Sequence, residues 1–300
     1  MNKLLLILTA ASALGFAADK EFNGRWNLTV QNEPRGRAWW IEVNEAGSSK
    51  IHGRFVGFPG GQMDVIPEIR IEHHELHWSS KDRSYTAVLQ KGKLTGSMSI
   101  GGKVINTFTG ERSPEIRDKD DERWKAGKSE NLLESLDLWE PTFPNRPLEW
   151  SLKDGVLQNA PKASDIRTKD KYWNFEVHAE YRYEAGSNSG IGLRGRYEIQ
   201  ILDSFGKPID GHSSGGLYSR VPPAVQAANP AGEWQTLDIR LVGRILTVKL
   251  NGKTTVDHKE VEGPTAMSFD PEEAMPGPIA LQGDHGVVEF RKLVVTNLTR

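Results

Sequence analysis

The sequence contains no cysteine. Disulfides, thiolate metal sites, a nucleophilic thiol and a lipid-anchored cysteine are all excluded. Net charge is also scarce. Against 40 Asp and Glu stand 38 Lys and Arg, giving −2, so there is no global basic field for nucleic acid. Long hydrophobic runs are missing as well. The apolar stretch from Leu4 to Phe16 falls short of the ~20 residues of a spanning helix and meets Asp19-Lys20-Glu21 at once. No GxxxxGK[ST] loop or HExxH helix occurs, which removes the usual signatures of nucleotide and zinc-protease chemistry.

The short apolar stretch reads as a signal peptide over residues 1–17. Lys3 supplies the positive start, and Gly15-Phe16-Ala17 puts small residues at the −3 and −1 positions before Ala18. The expectation is an exported protein, periplasmic or extracellular, with no membrane span after signal removal. The competing reading is an uncleaved anchor.

What is abundant points to β structure. Thirty Gly and 16 Pro imply many turns, and 9 Trp, 10 Phe and 6 Tyr suffice for packed cores. Within residues 18–112, seven runs have strand character: 26–30, 38–43, 50–58, 68–78, 84–90, 93–100 and 104–110. Gly- and Ser-containing turns divide them, which predicts a small antiparallel β-barrel or sandwich. Residues 113–130 are charged and strand-poor, centred on Asp118-Lys119-Asp120-Asp121-Glu122-Arg123. They read as a linker, with a short helix around Trp124 to Glu134. Strands resume at Trp150 in a second domain, residues 131–300. Asp154-Gly155 and Asn251-Gly252 each separate two strand-like runs, a hairpin signal. The whole chain is expected to be all-β.

The block from Asn188 to Ser204 carries the richest chemistry. If Ile191 to Leu202 is one strand, Leu193, Tyr197, Ile199 and Ile201 share one face. Arg194, Arg196, Glu198 and Gln200 share the other. Such a face is either the floor of a polar cleft, with Glu as base and Arg at an oxyanion, or a set of cross-strand ion pairs on a wet surface. The Gly-rich segment Gly211 to Tyr218 reads as a flexible loop rather than a phosphate cradle. Gln282-Gly283-Asp284-His285-Gly286 sets a His beside an Asp on a loop, which suits a general base or metal ligand as well as a plain surface. In His73-His74-Glu75-Leu76-His77, a strand would bring His73, Glu75 and His77 to one face, read as solvated rather than as a zinc site.

Several segments, in order, resemble the 3-keto-disaccharide hydrolase family over residues 131–300. They are Trp150 to Leu157, Asn188 to Ile191, Arg194 to Asp203, Gly216-Leu217-Tyr218, Pro230 to Trp234, Leu250-Asn251-Gly252, and Ile279 to Gly286 with Glu289-Phe290-Arg291. The resemblance implies a concanavalin A-like β-sandwich, or jelly roll, that holds sugar on one sheet. It implies action on 3-keto-glycosides or 3-keto-disaccharides by elimination and then hydration, with a carbohydrate as partner. It assigns catalysis to Glu198, His285 and Arg194, and substrate hydroxyls to Gln200, Asp203, Tyr218, Gln282 and Arg196. No cofactor is assigned; a divalent cation is compatible with the scheme, without an identifiable ligand set. The alternative is a non-catalytic carbohydrate-binding module on the same fold. The family's apolar-Gly-Trp entry strand is replaced here by Leu136-Asp137-Leu138-Trp139-Glu140-Pro141-Thr142.

Overall fold

The computed structural model describes residues 19–31, 38–57 and 61–300; the signal-peptide reading lies outside them. Among the described residues no helix is long and apolar enough to cross a membrane. The chain forms two compact units, one ending at Pro114 and one spanning Glu115–Arg300.

The first unit is a meander of nine antiparallel strands, in which Gly24–Val30 pairs with both Ala38–Asn44 and Lys103–Arg112. The path ends at Met63–Val65 and Ile69–Glu72. Ile66 N–H donates to Gly53 O at 3.0 Å and Ser79 N–H to Glu68 O at 3.2 Å, each extending an end strand's pairing with its own neighbour, and Ser80 Oγ donates to Asp64 Oδ2 at 2.9 Å and ties one end to the other. The pairing of first and last strands and this contact roll the sheet into a barrel. Alternation fills it: Leu76 and Trp78 from one strand, Tyr85 and Ala87 from the next, all buried. Trp39, Phe55, Trp78, Tyr85 and Phe108 form one ring cluster, with Trp78 stacked on Tyr85 at 4.9 Å.

The run 68–78 is not one strand. His73 and His74 both have positive φ, 50° and 64°, and turn the chain between Ile69–Glu72 and Glu75–Ser80. His73 thus leaves the face it was expected to share with Glu75 and His77. Among the described residues no cluster of three or more His, Asp or Glu has metal-binding geometry.

The second unit is a β-sandwich. Its larger sheet runs Trp150–Lys153, Val156–Asn159, Val288–Thr299, Phe175–Tyr183, Gln235–Val242, Ile245–Leu250 and Lys253–Glu260, with Lys125–Asn131 also on Val288–Thr299. The smaller runs Trp139–Pro141, Ile166–Thr168, Ala280–Leu281, Asn188–Leu193 and Tyr197–Leu202. Phe175, Val177, Ala179 and Tyr181 from the first meet Ile191, Leu193, Ile199 and Ile201 from the second in one core. Asp154-Gly155 and Asn251-Gly252 make the two expected tight turns, all four residues at positive φ.

The charged stretch is built into this unit. Asp118 Oδ2 accepts from Trp173 Nε1 at 2.7 Å and Asn174 Nδ2 at 2.9 Å, and Asp120 pairs with Arg240 at 2.8 Å. The helix expected around Trp124 to Glu134 is instead the strand Lys125–Asn131. Pairing with a long neighbouring strand satisfies the backbone groups along one edge of it, whereas an isolated helix of that length is marginal. In place of the family's usual entry strand stands a short 3-10 turn at Leu136–Leu138, capped by Ser135, before the edge strand Trp139–Pro141.

Candidate functional site

Ile191 to Leu202 is a hairpin, not one strand. The chain turns at Arg194-Gly195-Arg196, with Arg194 at φ 53° and Gly195 at 63°, and returns so that Leu193 opposes Tyr197. The alternation therefore holds within each arm and fails across the turn. Glu198 and Gln200 do share one face, turned away from the core that takes Tyr197, Ile199 and Ile201.

Arg194 is not in that face. Its Nε donates to Trp173 O at 2.7 Å, Nη1 to Gly243 O at 2.8 Å and Nη2 to Asn174 Oδ1 at 3.3 Å, and the guanidinium lies 4.0 Å from the Trp173 ring centroid. Burial lowers its pKa to about 10. With each guanidinium nitrogen bonded to protein and the residue 1% exposed, Arg194 locks the hairpin to the rest of the sandwich and lies off the face that carries Glu198. Arg196 also belongs to the turn, and its Nη1 donates to Asp270 O. Asp203 lies past the strand's end, where its carboxylate accepts from Gly186 N–H at 3.0 Å and closes a turn.

The strand register builds the outer face of the smaller sheet. One row runs Glu140, Arg167, Ala280, Gly192, Glu198. The next brings Gln282, Gly190 and Gln200 side by side: Gln282 N–H donates to Gly190 O at 3.1 Å, and Gly190 opposes Gln200. Tyr218, half-buried, follows the free edge of the hairpin and donates its N–H to Glu198 O at 2.9 Å. Its ring stands edge-on to His212 at 5.0 Å. Glu198 N–H donates to Thr265 Oγ1 at 2.8 Å.

Glu198 and Gln200 are each only 1% exposed. Gln200 Nε2 donates to Asn188 Oδ1 at 3.0 Å, but its Oε1 has no protein donor; nor does the buried Oε1 of Gln282. Two buried amide oxygens thus lie in the same row as Gly190, over which the Glu198 carboxylate rests. A buried acceptor without a protein donor needs a water or another hydroxyl to meet it.

His285 is half exposed, with Nδ1 against Asp284 Oδ1. Its backbone O accepts from Asn188 N–H at 3.2 Å, which sets the loop at the start of the Asn188–Leu193 strand. That is four residues from Gly192, or about 13 Å along the strand at ~3.3 Å per residue. The Glu198 side chain leans toward this end, over Gly190.

Sequence reasoning missed Arg167 and Glu140, which pair across the face at 2.8 Å, and Met267, which packs over Gly192. Their short strands, three residues each, carry too little alternation to be read. Two hollows elsewhere contain none of the expected residues. One of about 420 Å³ lies among Lys128, Glu130, Asp137, Lys169 and Tyr172, and one of about 320 Å³ lies on the larger sheet around His178 and Asp238.

Solved structures show similar architecture. A candidate glycosyl hydrolase from Parabacteroides distasonis is 26% identical, aligning 57% of this chain with 100% of its own at a TM-score of 0.47. A second from the same organism is 19% identical over 56% and 91%, at 0.46. A carbohydrate-binding module from Bacillus subtilis is 11% identical over 53% and 96%, at 0.37. No curated protein matches the chain. The model of the 3-keto-alpha-glucoside-1,2-lyase-like domain matches residues 127–296, more than half of the chain and nearly all of the sandwich, and the chain belongs to that family.

Proposed function

We propose that the chain is an exported enzyme that cleaves 3-keto-glycosides by elimination followed by hydration, with Glu198 as the base. Family and fold support carbohydrate processing. The observation that supports the finer reading is the Glu198 carboxylate on the sheet floor beside the donor-less oxygens of Gln200 and Gln282.

A C3 ketone makes the C2 proton acidic, because its loss gives an enolate. Glu198 takes that proton, and the C2–H electrons form the enolate. Its collapse restores the ketone, forms a C1–C2 double bond and breaks the bond from C1 to the leaving oxygen, which receives a proton. Water then adds at C1 and a proton at C2, so the net result is hydrolysis. Gln200 and Gln282 accept sugar hydroxyls and orient the ring. In this reading His285, on the loop toward which Glu198 leans, supplies the leaving-group proton. Arg194 has no part in this scheme, because each of its guanidinium nitrogens is bonded to protein at the hairpin turn, away from the face that carries Glu198.

The test follows aglycone release from an aryl 3-keto-glucoside and from its unoxidised parent. Release is expected from the keto compound alone, with Glu198→Gln ~100- to 10,000-fold slower and still folded. Equal cleavage of the parent would replace elimination by a two-carboxylate hydrolysis. Binding of the parent with release from neither compound would make the chain a carbohydrate-binding module.

A further inference from the structure

We infer that Gly190 is a positioning residue whose missing side chain forms the slot that holds the Glu198 carboxylate; this rests on Glu198 being the base. Gly190 and Gly192 lie inside the strand Asn188–Leu193, and neither has a positive φ. Their backbone is one that any residue adopts, so conformational freedom does not explain them. A glycine inside a strand weakens it, and the compensating use is close approach by another group.

The approaching groups differ at the two positions. Glu198 opposes Gly192 across the hairpin. A Cβ on Gly192 would lie 3.1 Å from Ala280 Cβ and 3.3 Å from Met267 Cε, so Met267 already occupies the space above it. The Glu198 side chain therefore runs along the sheet and lies over Gly190. A Cβ there would lie 2.4 Å from Oε1, 2.7 Å from Cγ and 2.9 Å from Cδ. All three atoms belong to Glu198, and all three distances are shorter than carbon allows. The slot also sets what the carboxylate faces, since Gly190 opposes Gln200 and is bonded through its carbonyl to Gln282. Met267 thus steers the carboxylate from one side, and Gly190 lets it lie beside the two acceptors from the other.

Gly190→Ala must move this carboxylate, and a base displaced by ~1 Å costs on the order of 100-fold in rate. The expected result is a fall in kcat of roughly 10- to 100-fold with KM nearly unchanged. Gly192→Ala, whose new methyl meets the flexible end of Met267, should cost much less. A double-mutant cycle identifies the route. If Gly190 acts through Glu198, Gly190→Ala adds almost nothing in a Glu198→Gln background, whereas independent effects would multiply. Stability supplies a second readout. Gly190→Ala should lower Tm, and Glu198→Ala should abolish that loss by removing the atoms the new methyl meets. Wild-type kcat for Gly190→Ala, or multiplying losses in the cycle, would overturn the inference and leave Glu198 as base. Wild-type turnover for Glu198→Gln would remove the base assignment and this inference with it.

Discussion

The two units treat buried polarity in opposite ways. Among the described residues, the buried polar side chains of the barrel are Asn27 and Ser80, and its interior is otherwise aliphatic and aromatic. The sandwich buries Arg194, Arg196, Glu198, Gln200 and Glu273 to 4% exposure or less. Taking a charge out of water costs several kcal/mol unless partners replace the solvent. The sandwich meets that cost in two ways that look alike in sequence. Arg194 is satisfied by three protein acceptors, and its burial is structural. The Gln200 and Gln282 oxygens are buried without protein donors. Neither burial nor leftover hydrogen-bonding capacity marks a site alone, since Trp39 and Trp78 Nε1 in the barrel are also buried without acceptors; what sets the sandwich apart is that the Gln200 and Gln282 oxygens lie beside a carboxylate.

The contrast can be broken most forcefully from the barrel side. Trp78 is 2% exposed at the centre of the ring cluster, so Trp78→Ala should cost the first unit about 3–5 kcal/mol. With two separate cores, calorimetry should show an early transition lowered or lost while turnover and the later transition persist. A parallel fall of both would show that the units fold as one.

A smaller effect is expected at Asp118, which lies in the stretch read as a linker but belongs to the sandwich. Asp118→Asn replaces an acceptor shared by Trp173 Nε1 and Asn174 Nδ2, and should destabilise the second unit by ~1–3 kcal/mol. Limited proteolysis should then begin on the N-terminal side of Asp118 and spare the paired strand Lys125–Asn131. Early cleavage inside that strand would restore the linker reading.

The smallest effect concerns the barrel's outer charges. Burial pushes the Glu42 carboxyl up, but hydrogen bonds and charge from Arg25 and Arg54 outweigh it and hold the pKa below the usual carboxylate value. A carboxyl with a lower pKa in the folded than in the unfolded state stabilises the fold fully above the unfolded value. That stability is lost as pH falls through the folded value. Tm of the first transition should therefore drop in acid more steeply for wild type than for Glu42→Gln, which should lose at most about 1 kcal/mol at neutral pH. Parallel acid limbs for the two proteins would remove Glu42 from the account.

Much of this was legible along the chain. Turn residues with the required backbone freedom, Asp154-Gly155 and Asn251-Gly252, and the alternation of Phe175 to Tyr183 stated two hairpins and a half-buried strand without reference to anything distant. The same local logic brought Glu198 and Gln200 to one face. It erred at His73-His74 and at Arg194-Gly195-Arg196, where turns lack the Asn-Gly or Asp-Gly pair that announces a hairpin. An unseen turn makes two strands read as one and carries side chains across it onto a face they never share.

By itself, then, the sequence determined the all-β class, a second strand-rich region, and the pairing of Glu198 with Gln200, because turn chemistry and period-two burial are local. Tertiary structure alone decided that Arg194 serves the hairpin rather than the ligand and that residues 125–131 pair with the C-terminal strand. It also decided that Glu198 lies over a glycine beside Gln200 and Gln282. Each depends on which distant acceptor, strand or side chain arrives alongside, and that is set only when register across the sheet joins residues far apart in the chain.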